Sequence, residues 1–243
     1  MYYYIFSIAL ALLCAAIGGA ASAKVHSAFR TYGAMPTRSR MTGYDTARRL
    51  LRANDIRSVS VGRVRGALTD HYHPKKGIVN LSETVYGNDS IAAVAVAAHE
   101  VGHVVQKERG YPPYRLRTVL VGITNIGSRL ALPLVLIGLI LDVFVVTAQN
   151  SNLGFYIALS GVGLYGLATV FALVPLPVEY NASARAKKML VEQGILTESE
   201  LSYASKMLNA AAQTYVAALF TSLLYFLRFF LWVMLMFGSR RRD

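Results

Sequence analysis

The sequence predicts a mainly α-helical integral membrane chain carrying a small antiparallel β-sheet, and three observations lead there. Of 243 residues, 54% are hydrophobic and only 16% are Asp, Glu, Lys or Arg, with a mean hydropathy of +0.41. The apolar residues gather into four runs, each long enough to cross a bilayer core of roughly 30 Å. Between the runs lie short β-branched stretches broken by Gly and Pro, and helical stretches with capping residues at their starts. This composition excludes a disordered or fibrous chain and argues against an ordinary soluble domain. The single cysteine, Cys14, excludes a disulfide framework and a paired-cysteine metal knuckle.

Residues 1–23 contain no charged side chain and form the first expected span. Ala21-Ser22-Ala23 resembles a signal-peptidase site, but the Met1-Tyr-Tyr-Tyr4 start has no basic region, which favours a retained anchor. Residues 24–129 follow as the larger extramembrane segment. There Thr42-Gly-Tyr-Asp45 reads as a capping start for a helix through Ala53. Arg57–Val64, Ala67–His73 and Gly77–Ser82 read as strands of the antiparallel sheet. Asn88-Asp89-Ser90 caps a helix over Ile91–Arg109 that ends at Gly110. That helix is apolar on nearly every face, so burial is expected. The runs Leu130–Ala148 and Leu153–Val174 are joined by Gln149-Asn-Ser-Asn152 and read as a transmembrane hairpin spanning 130–174. A second extramembrane segment, 175–213, opens with a helix over Val178–Gln193 and continues with one capped at Thr197-Glu-Ser-Glu200. The last run, from Thr214 to Phe237, belongs to a terminal segment 214–243 with a basic tail; it either spans the membrane or lies in its interface.

The formal net charge of +12 is concentrated, since residues 24–129 hold 17 Lys/Arg against 7 Asp/Glu. Such a basic balance can serve nucleic acid, but no stripe of aromatics interleaves the cations, and membrane topology accounts for it more economically. With four spans the two large segments share a side, and their excess of Lys and Arg places them in the cytoplasm. Asp142 and Arg228 stand inside apolar runs, at depths of roughly 20 and 22 Å from the cytoplasmic face at 1.5 Å per residue. They are expected either to pair or to reach the outer interface separately.

The chemistry sits in His99-Glu-Val-Gly-His103. A spacing of four puts both imidazoles on one helix face, within reach of one Zn²⁺, and sets Glu100 beside the metal as a general base for bound water. A catalytic zinc needs a third protein ligand. Glu179, just after Pro175-Leu-Pro177, can supply it from a separate helix, because the hairpin returns the chain to the same membrane face. The same carboxylate can equally be a helix-start residue favoured by the macrodipole. Asp70-His71-Tyr72-His73 offers His71 or Tyr72 as contacts for a substrate oxyanion, or simply a packed corner of the sheet.

Leu68-Thr-Asp-His-Tyr-His-Pro74, Ser90–Gln106 with its two histidines, and Pro177-Val-Glu-Tyr-Asn-Ala-Ser183 together resemble the YugP-type membrane zinc metallopeptidases of bacteria. The likeness covers residues 25–240. It implies a zincin-like peptidase in which His99, His103 and Glu179 hold zinc. His73 and Asn181 depart from the pattern, which favours acidic residues there. The expected function is therefore hydrolysis of membrane or membrane-proximal proteins at the bilayer, with Zn²⁺ as cofactor, a peptide as substrate and no nucleic-acid partner. A metal-binding scaffold without hydrolysis is the alternative, and the intact Glu100 argues against it.

Overall fold

The computed structural model describes residues 2–144 and 153–238. In chain order they form α1 (Tyr2–Gly33), α2 (Gly43–Ala53), β1 (Ser60–Val64), β2 (His71–His73), β3 (Ile78–Ser82) and α3 (Glu83–Tyr86). There follow α4 (Ile91–Glu108), α5 (Pro112–Phe144), α6 (Leu153–Phe171), α7 (Pro175–Glu192) and α8 (Glu198–Gly238). Two compact units result. One comprises residues 1–18, 116–174 and 216–243, and the other 19–115 and 175–215.

In the second unit, local sequence sets the helix starts. Thr42 and Asp45 form a reciprocal capping box that opens α2. Ser90 Oγ accepts the Ala93 amide at 3.2 Å and opens α4. Gly110, at φ +63°, takes the left-handed conformation that ends α4. Of the eighteen residues of α4, fourteen are buried, so this helix is the centre of the unit and not a surface element. Leu50 of α2, Val79 and Leu81 of β3, Val94 and Val101 of α4 and Leu190 of α7 share its core.

The sheet corrects the sequence expectation, because it is mixed and not antiparallel. Its order is β1-β3-β2, with β2 antiparallel to β3 but β1 parallel to it. β2 and β3 are joined by a short turn containing Gly77 at φ +60°, which permits a hairpin. The connection from β1 to β2 is longer and passes through Gly66 and Leu68, both at positive φ. It carries the chain past β3 to the opposite edge, so β3, with Val79 and Leu81 fully buried, becomes the central strand.

Three helical stretches among the described residues are long and apolar enough to cross a membrane: Ile5–Gly33, Leu153–Glu192 and Glu198–Phe237. The expected first span continues as one helix to Gly33, and the capped helix at Thr197 runs unbroken into the last apolar run. The other expected span, 130–148, lies partly outside the described residues, as do the Gln149–Asn152 turn and the Asp142 side chain. Its described part belongs to α5, which begins as early as Pro112. Within the first unit α5 and α6 approach closely at Gly138, where a Cβ would meet the Gly154 carbonyl at 2.5 Å. Val135, Ala158, Val162 and Val233 pack beside that crossing.

Candidate metal centre

His99 and His103 lie one turn apart on α4, and Glu179 occupies the second turn of α7. The structure brings all three together, with one ligand atom from each within 4.8 Å of the others. Glu179 Oε2 is 3.2 Å from His99 Nε2 and 3.6 Å from His103 Nε2. The close approach of the two helices depends on Gly102. A Cβ at that position would stand 2.6 Å from the Ala182 carbonyl oxygen, so only glycine lets the α7 backbone settle against α4. The motif's small residue is thus what carries Glu179 to the histidines.

The outward ring nitrogens are held from behind. His99 Nδ1 lies 3.1 Å from Ser183 Oγ, and His103 Nδ1 lies 3.0 Å from Gln106 Oε1. Gln106, fully buried, spends its own amide on the Val178 carbonyl at 2.7 Å and on Asn181 Oδ1 at 3.0 Å. Asn181 Oδ1 also accepts Arg185 Nε at 2.7 Å. Gln106 as acceptor places the proton of neutral His103 on Nδ1 and leaves the Nε2 lone pair facing Glu179. Burial alone would lower His103 and raise Glu179. The close approach of Glu179 to both imidazoles outweighs it, lifting His103 above its ordinary value and holding Glu179 below the usual carboxylate range. Two imidazoles, one half-buried and one buried, and a buried carboxylate form a donor set suited to Zn²⁺.

Glu100, the next residue after His99, is also buried, and its Oε2 accepts the Tyr72 amide of β2 at 2.8 Å. Its other oxygen has no hydrogen-bond partner among the described residues. Tyr72 is itself buried, with its hydroxyl 3.3 Å from Lys107 Nζ, which also donates to the Pro74 carbonyl at 2.9 Å. His71 is exposed and stands apart from the three-residue group. Its ring nitrogens meet the Thr69 carbonyl at 2.8 Å and Asn80 Nδ2 at 3.0 Å. Asp70 accepts the Ser82 amide and hydroxyl at 2.7 and 2.9 Å, clamping the end of β3. Burial raises its carboxyl, as does the Glu100 charge, against the lowering effect of the Ser82 bonds.

The sequence alone points to no role for Gln106 or Ser183, and marks Asn181 only as a departure from the family pattern. The available signal was spacing, since Gln106 follows His103 by three residues and Ser183 follows Glu179 by four, each on its neighbour's helix face.

The family model described as "Putative neutral zinc metallopeptidase" matches residues 4–234. The chain is 42% identical over 220 residues to "Putative membrane protease YugP" of Bacillus subtilis (strain 168), covering 90% of this chain and 92% of that protein. No solved structure matches the chain.

Proposed function

The chain belongs to the "Putative neutral zinc metallopeptidase" family, and on that premise we propose that it is a membrane-bound, zinc-dependent peptidase. The observation that supports this reading best is the convergence of His99, His103 and Glu179 directly beside Glu100. Zinc held by those three residues would polarise a scissile carbonyl and make its bound water acidic enough to ionise near neutral pH. With zinc bound there, Glu100 would serve as the group that accepts a proton from the attacking water and hands it to the leaving amine. The Tyr72 amide fixes one carboxylate oxygen of Glu100, so the other is the proton acceptor. β2 is an edge strand, and an extended peptide laid along it would run past Glu100, with His71 and Tyr72 as its contacts. Glu179 follows the end of α6 at Phe171 by eight residues, which supports membrane or membrane-proximal proteins as substrates. The distribution of Lys and Arg along the chain supports a cytoplasmic catalytic side.

Zinc content and casein cleavage of the purified protein beside Glu100→Gln test the reading. The variant is expected to keep its zinc and lose about 10²-fold or more of its activity. Turnover close to wild type would remove the mechanism.

A further inference from the structure

α2 carries a cationic face that no carboxylate among the described residues answers. Arg48 and Arg52 are four apart and share that face, and Arg57 lies on the approach to β1. Together they rim a cavity of about 420 Å³ between α2 and β1. Its apolar lining comes from Leu51, Ile56 and Val59. Ion pairs elsewhere in the unit tie Arg40 to Asp89 and Arg63 to Glu83, but none reaches these three guanidinium groups. Arg48 is braced by the Tyr44 hydroxyl at 2.9 Å and lies over the Tyr44 ring. The Arg52 and Arg57 side chains make no hydrogen bond or ion pair among the described residues. Asp45, the nearest acid on α2, is committed to its cap with Thr42.

The residue type adds a second, independent indication. Between Lys24 and Lys75 the chain places nine arginines and no lysine. A stretch selected only for positive charge has no reason to avoid lysine. Guanidinium differs from ammonium in offering paired, coplanar donors that match a tetrahedral oxyanion. Three such groups around one cavity floored by aliphatic side chains fit an anion with an apolar body.

We propose that the cavity between α2 and β1 binds a phosphate ester through Arg48, Arg52 and Arg57. The headgroup of an anionic phospholipid and a soluble phosphate ester present the same chemistry. This site is separate from the metal centre and does not depend on the peptidase reading.

The test uses the full chain in uncharged detergent. Calorimetric titration is made with inorganic phosphate, and separately with micelles doped with dioleoylphosphatidylglycerol or dioleoylphosphatidylcholine. Phosphatidylglycerol is expected to bind where phosphatidylcholine does not, and Arg48→Gln/Arg52→Gln/Arg57→Gln to weaken it at least about tenfold. A charge-matched triple, Lys75→Gln/Lys76→Gln/Lys206→Gln, is expected to bind as wild type does. Saturable binding of inorganic phosphate with nothing added by phosphatidylglycerol assigns the site to soluble esters. Saturation by phosphatidylglycerol alone assigns it to lipid. Circular dichroism and zinc content confirm the fold of each variant, and Arg52→Gln alone, an exposed position, is expected to shift affinity in the same direction. The proposal is overturned if neither probe binds, if the arginine variants bind like wild type, or if the lysine triple loses as much.

Discussion

Gln106 Oε1 stands 3.0 Å from His103 Nδ1, while the Gln106 amide nitrogen donates across to the Val178 carbonyl and Asn181 on α7. One side chain therefore sets the tautomer of a histidine on its own helix and ties that helix to the one bearing Glu179. Gln106→Ala is expected to weaken zinc binding by about 10- to 100-fold, as loss of a group behind a metal-binding histidine commonly does. Competition against a chromophoric chelator measures it. Unchanged affinity would show that His103 is oriented by packing alone.

A zinc site built on Glu179 and His103 would have a definite pH dependence. His103 carries a raised pKa without metal, and its proton must leave before Nε2 can donate to zinc. Zinc occupancy should therefore begin to fall as acidification approaches and then passes the ordinary imidazole value of about 6.5. Glu179→Ala removes the largest of the groups that raise His103, leaving the Glu100 charge and the Gln106 bond. At neutral pH it should bind zinc more weakly, while the pH below which its zinc affinity starts to decline should move lower. Equilibrium dialysis of both proteins across pH reads the two effects, and full occupancy of the variant at neutral pH would move the third ligand elsewhere.

Gly102→Ala is a backbone test of the same centre. The new methyl group meets the Ala182 carbonyl, so α4 and α7 must separate. Stability should drop by about 1–3 kcal/mol through overpacking, and zinc should be lost with it. Thermal unfolding with and without added zinc reports both. A variant as stable and as zinc-loaded as wild type would mean that the two helices are not held by this contact.

Arg228 sits in the last apolar run with its Nε buried and without a hydrogen-bond partner among the described residues. A charge in such a place costs on the order of 2.5–3.5 kcal/mol by insertion scales. Asp142 is the acid expected at matching depth. Asp142→Asn and Arg228→Gln, singly and together, should show a coupling of about 0.5–3 kcal/mol in unfolding from detergent. Additive effects would leave each charge to reach the interface by itself.

What could be read from the sequence was what neighbours in the chain decide. The Thr42–Asp45 capping box, the Ser90 cap and the stop at Gly110 are all local, and each was anticipated at its residue. The burial of α4 followed from the lack of polar residues over Ile91–Val105 outside the His99–His103 motif. The pairing of β1 was not legible, because a parallel neighbour is chosen by how the chain crosses β3 and not by the strand itself. Antiparallel pairing was the wrong inference from strand proximity. The link from His103 through Gln106 to Asn181 was hidden for a similar reason. It spans α4 and α7, and its traces in the sequence are the spacing of Gln106 three residues after His103 and its polarity within a buried stretch.

The three-residue group draws two members from α4 and the third from α7, with the whole of α5 and α6 encoded between them. During synthesis a ribosome releases both histidines long before it reaches codon 179. A nascent chain at that stage holds the two imidazoles but lacks the carboxylate that completes the group. Assembly of the group is thereby deferred until the intervening hydrophobic segments have been synthesised. Chain order therefore makes the three-residue group a late product of synthesis, complete only when residues on both sides of α5 and α6 are present.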